Sequence, residues 1–93
     1  MHMLIITVGI EGDKGDEATA MLNSQVVPDV KAMAGFVSGT WARSEDGSRG
    51  HSVVLFESEE QAKAALEKAV QGPPPGAPVK ILYSEVMEVL AQA

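Results

Sequence analysis

The sequence predicts one α+β domain of order β-α-β-β-α-β, with an antiparallel four-stranded sheet carrying both helices on one face. Three patterns carry that reading. Short runs rich in β-branched and aromatic residues recur along the chain, two stretches show helical apolar spacing, and an Asp-Gly pair separates the two middle runs. With 93 residues there is room for a single core, so 1–93 is read as one domain, and the order of elements is that of a ferredoxin-like fold.

Leu4 to Ile10 is apolar on both faces of the pleat and short enough for a strand, which makes it central in the sheet. Glu11 to Asp16 has a loop composition, and Asp13 or Asp16 is placed to cap a helix starting near Asp16. Met21, Leu22, Val26, Val30 and Met33 then form an apolar stripe. Pro28 interrupts it, since proline removes a backbone donor and clashes with the preceding turn. This predicts a kink or break near Val27, a second helical piece to Ala34, and Gly35 as its cap.

Phe36 to Ser44 and His51 to Phe56 are strand-like and flank Glu45-Asp46-Gly47-Ser48, a hairpin signal. Ser58-Glu59-Glu60-Gln61 reads as a capping box. It opens a second helix whose inward face is Ala62, Ala65, Leu66, Ala69 and Val70 and which runs to Gly72. Pro73 to Pro75, Gly76 and Pro78 read as a stiff extended connector, and Val79 to Leu90 as the last strand. Helices on one face leave the other face of a two-sided apolar sheet uncovered. A second copy is its simplest cover, so the sequence predicts a homodimer.

Composition narrows the function classes. Seven Lys plus Arg against thirteen Asp plus Glu give a net charge of −6 with the cations scattered, which argues against nucleic acid and anionic membranes as partners. There is no cysteine, and no apolar run approaches a membrane span or a signal segment, so a cytoplasmic protein is expected. Met1 and His2 read as a cloning remnant ahead of Met3, leaving His51 as the one native histidine. No three-ligand metal spacing, phosphate loop or nucleophile elbow is present.

Gly35-Phe36-Val37-Ser38-Gly39 and Phe56-Glu57-Ser58-Glu59-Glu60, in their positions after the first helix and before the second, make the chain resemble the dimeric α/β-barrel superfamily, in particular antibiotic-biosynthesis-monooxygenase-like domains. The resemblance implies a dimeric α+β barrel with an apolar cleft between helices and sheet. It further implies either cofactor-independent oxidation of an electron-rich aromatic or the binding of a small hydrophobic or aromatic molecule. The haem-degrading branch of that superfamily carries a tryptophan in the second helix and a histidine soon after it. Here the tryptophan position falls near Ala65 and no histidine follows His51, which argues against haem, and no cofactor is expected.

Six residues are the candidates for a site. Trp41 can stack on a planar ligand or fill the core, and Arg43, two residues on and hence on the same pleat face, can bind an anionic group or lie in solvent. Thr7 can line the cleft or simply pack. His51 is a candidate acid or base, Glu85 a candidate base and Tyr83 a hydrogen-bonding group on the same strand face as Glu85, each with a surface or interface role as the alternative. A two-residue Asp46-Gly47 turn would pair Trp41 with Ser52 and put Trp41 and His51 on opposite faces; a three-residue loop would reverse that. The competing reading is a non-catalytic dimeric structural or interaction module, its cleft filled by Met21, Leu22, Met33 and Phe56.

Overall fold

A strand that is apolar on both sides belongs in the middle of a sheet, paired on both edges, and β1 occupies that place. In the computed structural model, which describes residues 1–93, β1 (His2–Ile10) lies between β3 (Arg49–Phe56) and β4 (Val79–Glu88), and β2 (Phe36–Arg43) flanks β3. The order is β2-β3-β1-β4 with every pair antiparallel, the expected ferredoxin-like arrangement. His2 pairs with Phe56 and Glu88, so the residue read as a remnant is the first of the strand.

One face of the sheet carries α1 (Gly15–Met21), α2 (Val27–Lys31) and α3 (Glu59–Ala69). The core is Leu4, Val54 and Phe56 of the sheet against Ala62 and Ala65 of α3, with Ile6, Val30, Met33, Phe36, Trp41, Leu66 and Val86 packed around it. Phe56 is fully buried, a burial that contributes about 1.5–3 kcal/mol. Alanines on α3 let the helix approach the sheet closely.

The first helical segment departs from its expected course. Neither Asp13 nor Asp16 caps α1, which begins at Gly15 beside Lys14 with no side-chain cap. The break at Pro28 is a π-helical turn over Leu22–Val26, one element earlier than a simple kink at Val27. Pro28 has no N–H to offer the preceding turn, and the backbone widens ahead of it. Here α2 ends at Lys31 instead of Ala34, so Gly35, at φ 79, forms the turn into β2 and is not the helix cap. The amide of Glu57 donates to its carbonyl at 2.9 Å.

The hairpin has the register of an Asp46-Gly47 centre: Trp41 pairs with Ser52 and Ala42 with His51. Its loop is four residues, closed where Ser44 N–H donates to Arg49 O at 2.8 Å, with Gly47 at φ 78. Ser48 N–H, Ser48 Oγ and Ser44 Oγ all donate to Oδ1 of Asp46, and these bonds, the Ser48 amide first, lower its carboxyl to about 2. Half of the capping box forms. Ser58 Oγ accepts from Gln61 N–H at 3.2 Å, while the Gln61 side chain lies against Gly35 and does not return to the Ser58 amide. The proline connector bends, Ala77 N–H donating to Pro74 O at 3.0 Å, so it is not extended throughout. No helix is long and apolar enough to cross a membrane.

Candidate functional site

Side chains alternate across a strand, so the registers sort the six candidate residues by face. Leu4, paired with Val54 and Val86, marks the face under the helices. On that face β2 adds Trp41, opposite Ser52, and Arg43, opposite Gly50. Thr7 pairs with His51 and with Tyr83, and Ile5 pairs with Glu85, all on the open face. The sheet therefore stands between the two groups. The sheet thus separates Trp41 and Arg43 from His51, Tyr83 and Glu85, the opposite-face arrangement that a two-residue turn gives for Trp41 and His51.

Beneath the helices, Trp41 is half-buried and packs on the core. Its ring lies over Gly39, where a Cβ would stand 2.6 Å from the ring edge, so a side chain there would displace the indole. Arg43 reaches under Gly15 at the start of α1, and its Nη1 is 3.9 Å from Asp16 Oδ1. Both partners are exposed, so this pair is weak.

On the open face the four candidate residues form two pairs. Thr7 Oγ1 lies 3.1 Å from Nδ1 of His51, and the Tyr83 hydroxyl donates to Oε2 of Glu85. That bond to the carboxylate pushes the Tyr83 hydroxyl upward from its ordinary value of 10.0. The bulge between Thr7 and Val8 leaves Leu82 beside Gly9 on this same face. Met3, Ile5, Val53, Leu55 and Met87 make up the rest of its floor.

The helical layer has an opening beside α3. A cavity of about 200 Å³ lies where the exit from α2 faces α3, walled by Met33, Ala34, Ala64 and Ala65 with Gln61 and Lys68 as its polar groups. Oε1 of Gln61 is buried with no hydrogen-bond partner. That side chain packs against Gly35 and also lines the opening. Neither Trp41 nor Tyr83 lines it.

Sequence reasoning missed most of this site. Met33 stood in the apolar stripe as a filler of the cleft, and Gln61 was read only as a capping residue. The signal was the run of alanines in α3: small residues opposite the end of a proline-broken helix leave volume unfilled. No group of His, Cys, Asp or Glu is arranged to hold a metal ion.

No family model matches the chain, and no curated protein matches it. Solved structures do. SnoaB, a cofactor-independent oxygenase from Streptomyces nogalater, matches with TM-score 0.76 at 13% identity, over 98% of this chain and 94% of that one. The ActVA-Orf6 monooxygenase of Streptomyces coelicolor, in complex with nanaomycin D, matches with TM-score 0.64 at 19% identity, over 99% and 89%. An MhuD variant with two manganese protoporphyrin IX molecules bound per active site matches with TM-score 0.67 at 18% identity, over 100% and 98%. Across the whole of its length, this chain therefore has the ferredoxin-like α+β fold of antibiotic-biosynthesis-type monooxygenases.

Proposed function

We propose that the chain is a homodimeric α+β-barrel protein that binds a small hydrophobic or aromatic molecule in the cleft between α2 and α3. The observation that supports this most is the cavity itself, with apolar walls, a buried acceptor on Gln61 and an ammonium on Lys68 at hand. Those groups suit a single ring bearing a hydrogen-bond donor and an acidic substituent. The same opening weighs against the alternative of a filled, purely structural core. Met33, one of the residues expected to fill it, forms one wall.

Cofactor-independent oxidation, the chemistry of a structural neighbour, has weaker support in the residues. His51, Glu85 and Tyr83, the groups suited to removing a proton or holding a phenol, lie across the sheet from the cavity. Trp41, Arg43 and Thr7 do not line it either. Binding is thus the primary reading. It requires no cofactor, nucleic acid or membrane.

The test is titration of the full chain with a hydroxybenzoate, followed by NMR of the methionine and alanine methyl groups. Shifts centred on Met33, Ala64 and Ala65, reduced in Ala64→Leu and in Lys68→Ala, are expected. Shifts elsewhere, or none with any single-ring probe of a panel that includes neutral phenols, would overturn the assignment.

A further inference from the structure

The open face of the sheet carries two polar pairs beside the apolar residues of β1, and each pair leaves one atom without a partner in its own chain. His51 uses Nδ1 toward Thr7, leaving Nε2; Glu85 uses Oε2 toward Tyr83, leaving its other carboxylate oxygen. A protonated ring carries a hydrogen on Nε2 whichever way the contact between Thr7 and Nδ1 runs. The face thus presents one free donor on β3 and one free acceptor on β4, flanking β1.

A surface that buries those atoms must pair them, and a two-fold interface supplies the means. It sets residue i of one copy against residue j of the other and j against i, so a single donor and a single acceptor are satisfied twice over. Charge points the same way. By register, the charged and titratable groups on this face are Arg49 and Lys80 level with Gly9, His51 and Tyr83 level with Thr7, and Glu85 level with Ile5. On the same face β2 contributes Ser38, Thr40 and Ala42, none of them titratable. Arg49 and His51 of β3 and Lys80 of β4 stand around a single carboxylate, Glu85, so a second copy of the face offers that carboxylate cationic and protonatable partners.

We propose that in the homodimer His51 of each copy pairs through Nε2 with Glu85 of the partner subunit, so that association strengthens as the imidazole takes up a proton. This rests on the homodimer proposed above. A carboxylate across the interface favours the charged imidazole, so the dimer binds more protons than two separate chains. Association then tightens as pH falls, for as long as the partner's carboxylate stays charged.

Sedimentation equilibrium of the full chain at about pH 5.5 and about pH 8.5 tests it, with wild type, His51→Gln, Glu85→Gln and the double variant. The expected wild-type Kd is about tenfold lower at the acid pH, the size of effect one charge pair at each of two sites supplies. Either single variant flattens that difference, and the double variant loses no more than the single ones. A wild-type dimer with the same Kd at both pH values, or a difference that survives in His51→Gln, overturns the pairing while leaving the homodimer intact. A chain that stays monomeric at all concentrations overturns the homodimer, and the pairing with it.

Discussion

The two halves of the helical layer are built in contrasting ways. Helix α3 is eleven residues long, capped by Ser58, acidic in its first turn, basic in its last, and buries Ala62 and Ala65. The segment from Gly15 to Lys31 is cut into α1, a π-helical turn and α2, has no side-chain cap and buries no residue at all. Both lie on the same sheet. A small-residue face lets a helix seat fully, whereas proline and a widened turn hold the other segment's larger Met, Leu and Val side chains half out. The opening lies where the two meet, so the contrast explains why space remains there.

The largest test of that contrast is removal of core volume beneath α3. Phe56→Ala is expected to cost about 3–5 kcal/mol in urea unfolding, whereas Met21→Ala in the first helical segment costs under about 1 kcal/mol. Similar losses at the two positions would erase the distinction between the halves.

Next comes the junction of the halves. Gly35, at φ 79, lies against the Gln61 side chain. Gly35→Ala should destabilise by about 1–3 kcal/mol, from backbone strain and from the clash together. Adding Gln61→Ala should recover the clash but not the strain, so full recovery in the double variant would show that the turn tolerates a side chain. Thermal unfolding of the three proteins gives the answer. Ser58→Ala is expected to cost about 1 kcal/mol and to fray the start of α3, which amide exchange at Gln61 reports.

The smallest effect lies at the hairpin, far from both halves. Asp46 is lowered from 3.8 to about 2 by the Ser48 amide and the Ser48 and Ser44 hydroxyls. A carboxyl depressed on folding contributes stability that is complete above its unfolded value near 3.8 and is lost as pH falls through about 2. Asp46→Asn should therefore flatten the stability profile between those values and leave the profile above them parallel to wild type. An unchanged slope in chemical denaturation across the acid range would remove Asp46 from that account.

Much of the fold was legible because short-range chemistry specifies it. The β-branched run of β1, the Asp-Gly pair and the Ser58 start of α3 are local signals, and each produced the expected element in the expected register. The site was less legible. The hairpin spacing offered two registers for Trp41 and His51, of which the structure has the one that puts them on opposite faces, and Tyr83 and Glu85 required the pairing of β4 with β1, a contact between distant parts of the chain interrupted by a bulge. Gln61 illustrates the limit: its local pattern asks for a reciprocal cap, and the arrival of Gly35 from elsewhere in the chain takes its side chain instead.

By itself, then, the sequence determined the order of elements, the presence of the hairpin and the presence of a break in the first helical segment, since each follows from backbone preferences and side-chain periods within a few residues. Tertiary structure alone decided which face of the sheet each polar residue occupies and where space remains. Those outcomes depend on register between remote strands and on how closely two helices of unequal side-chain size can approach one sheet, and neither quantity is written in any short stretch of chain.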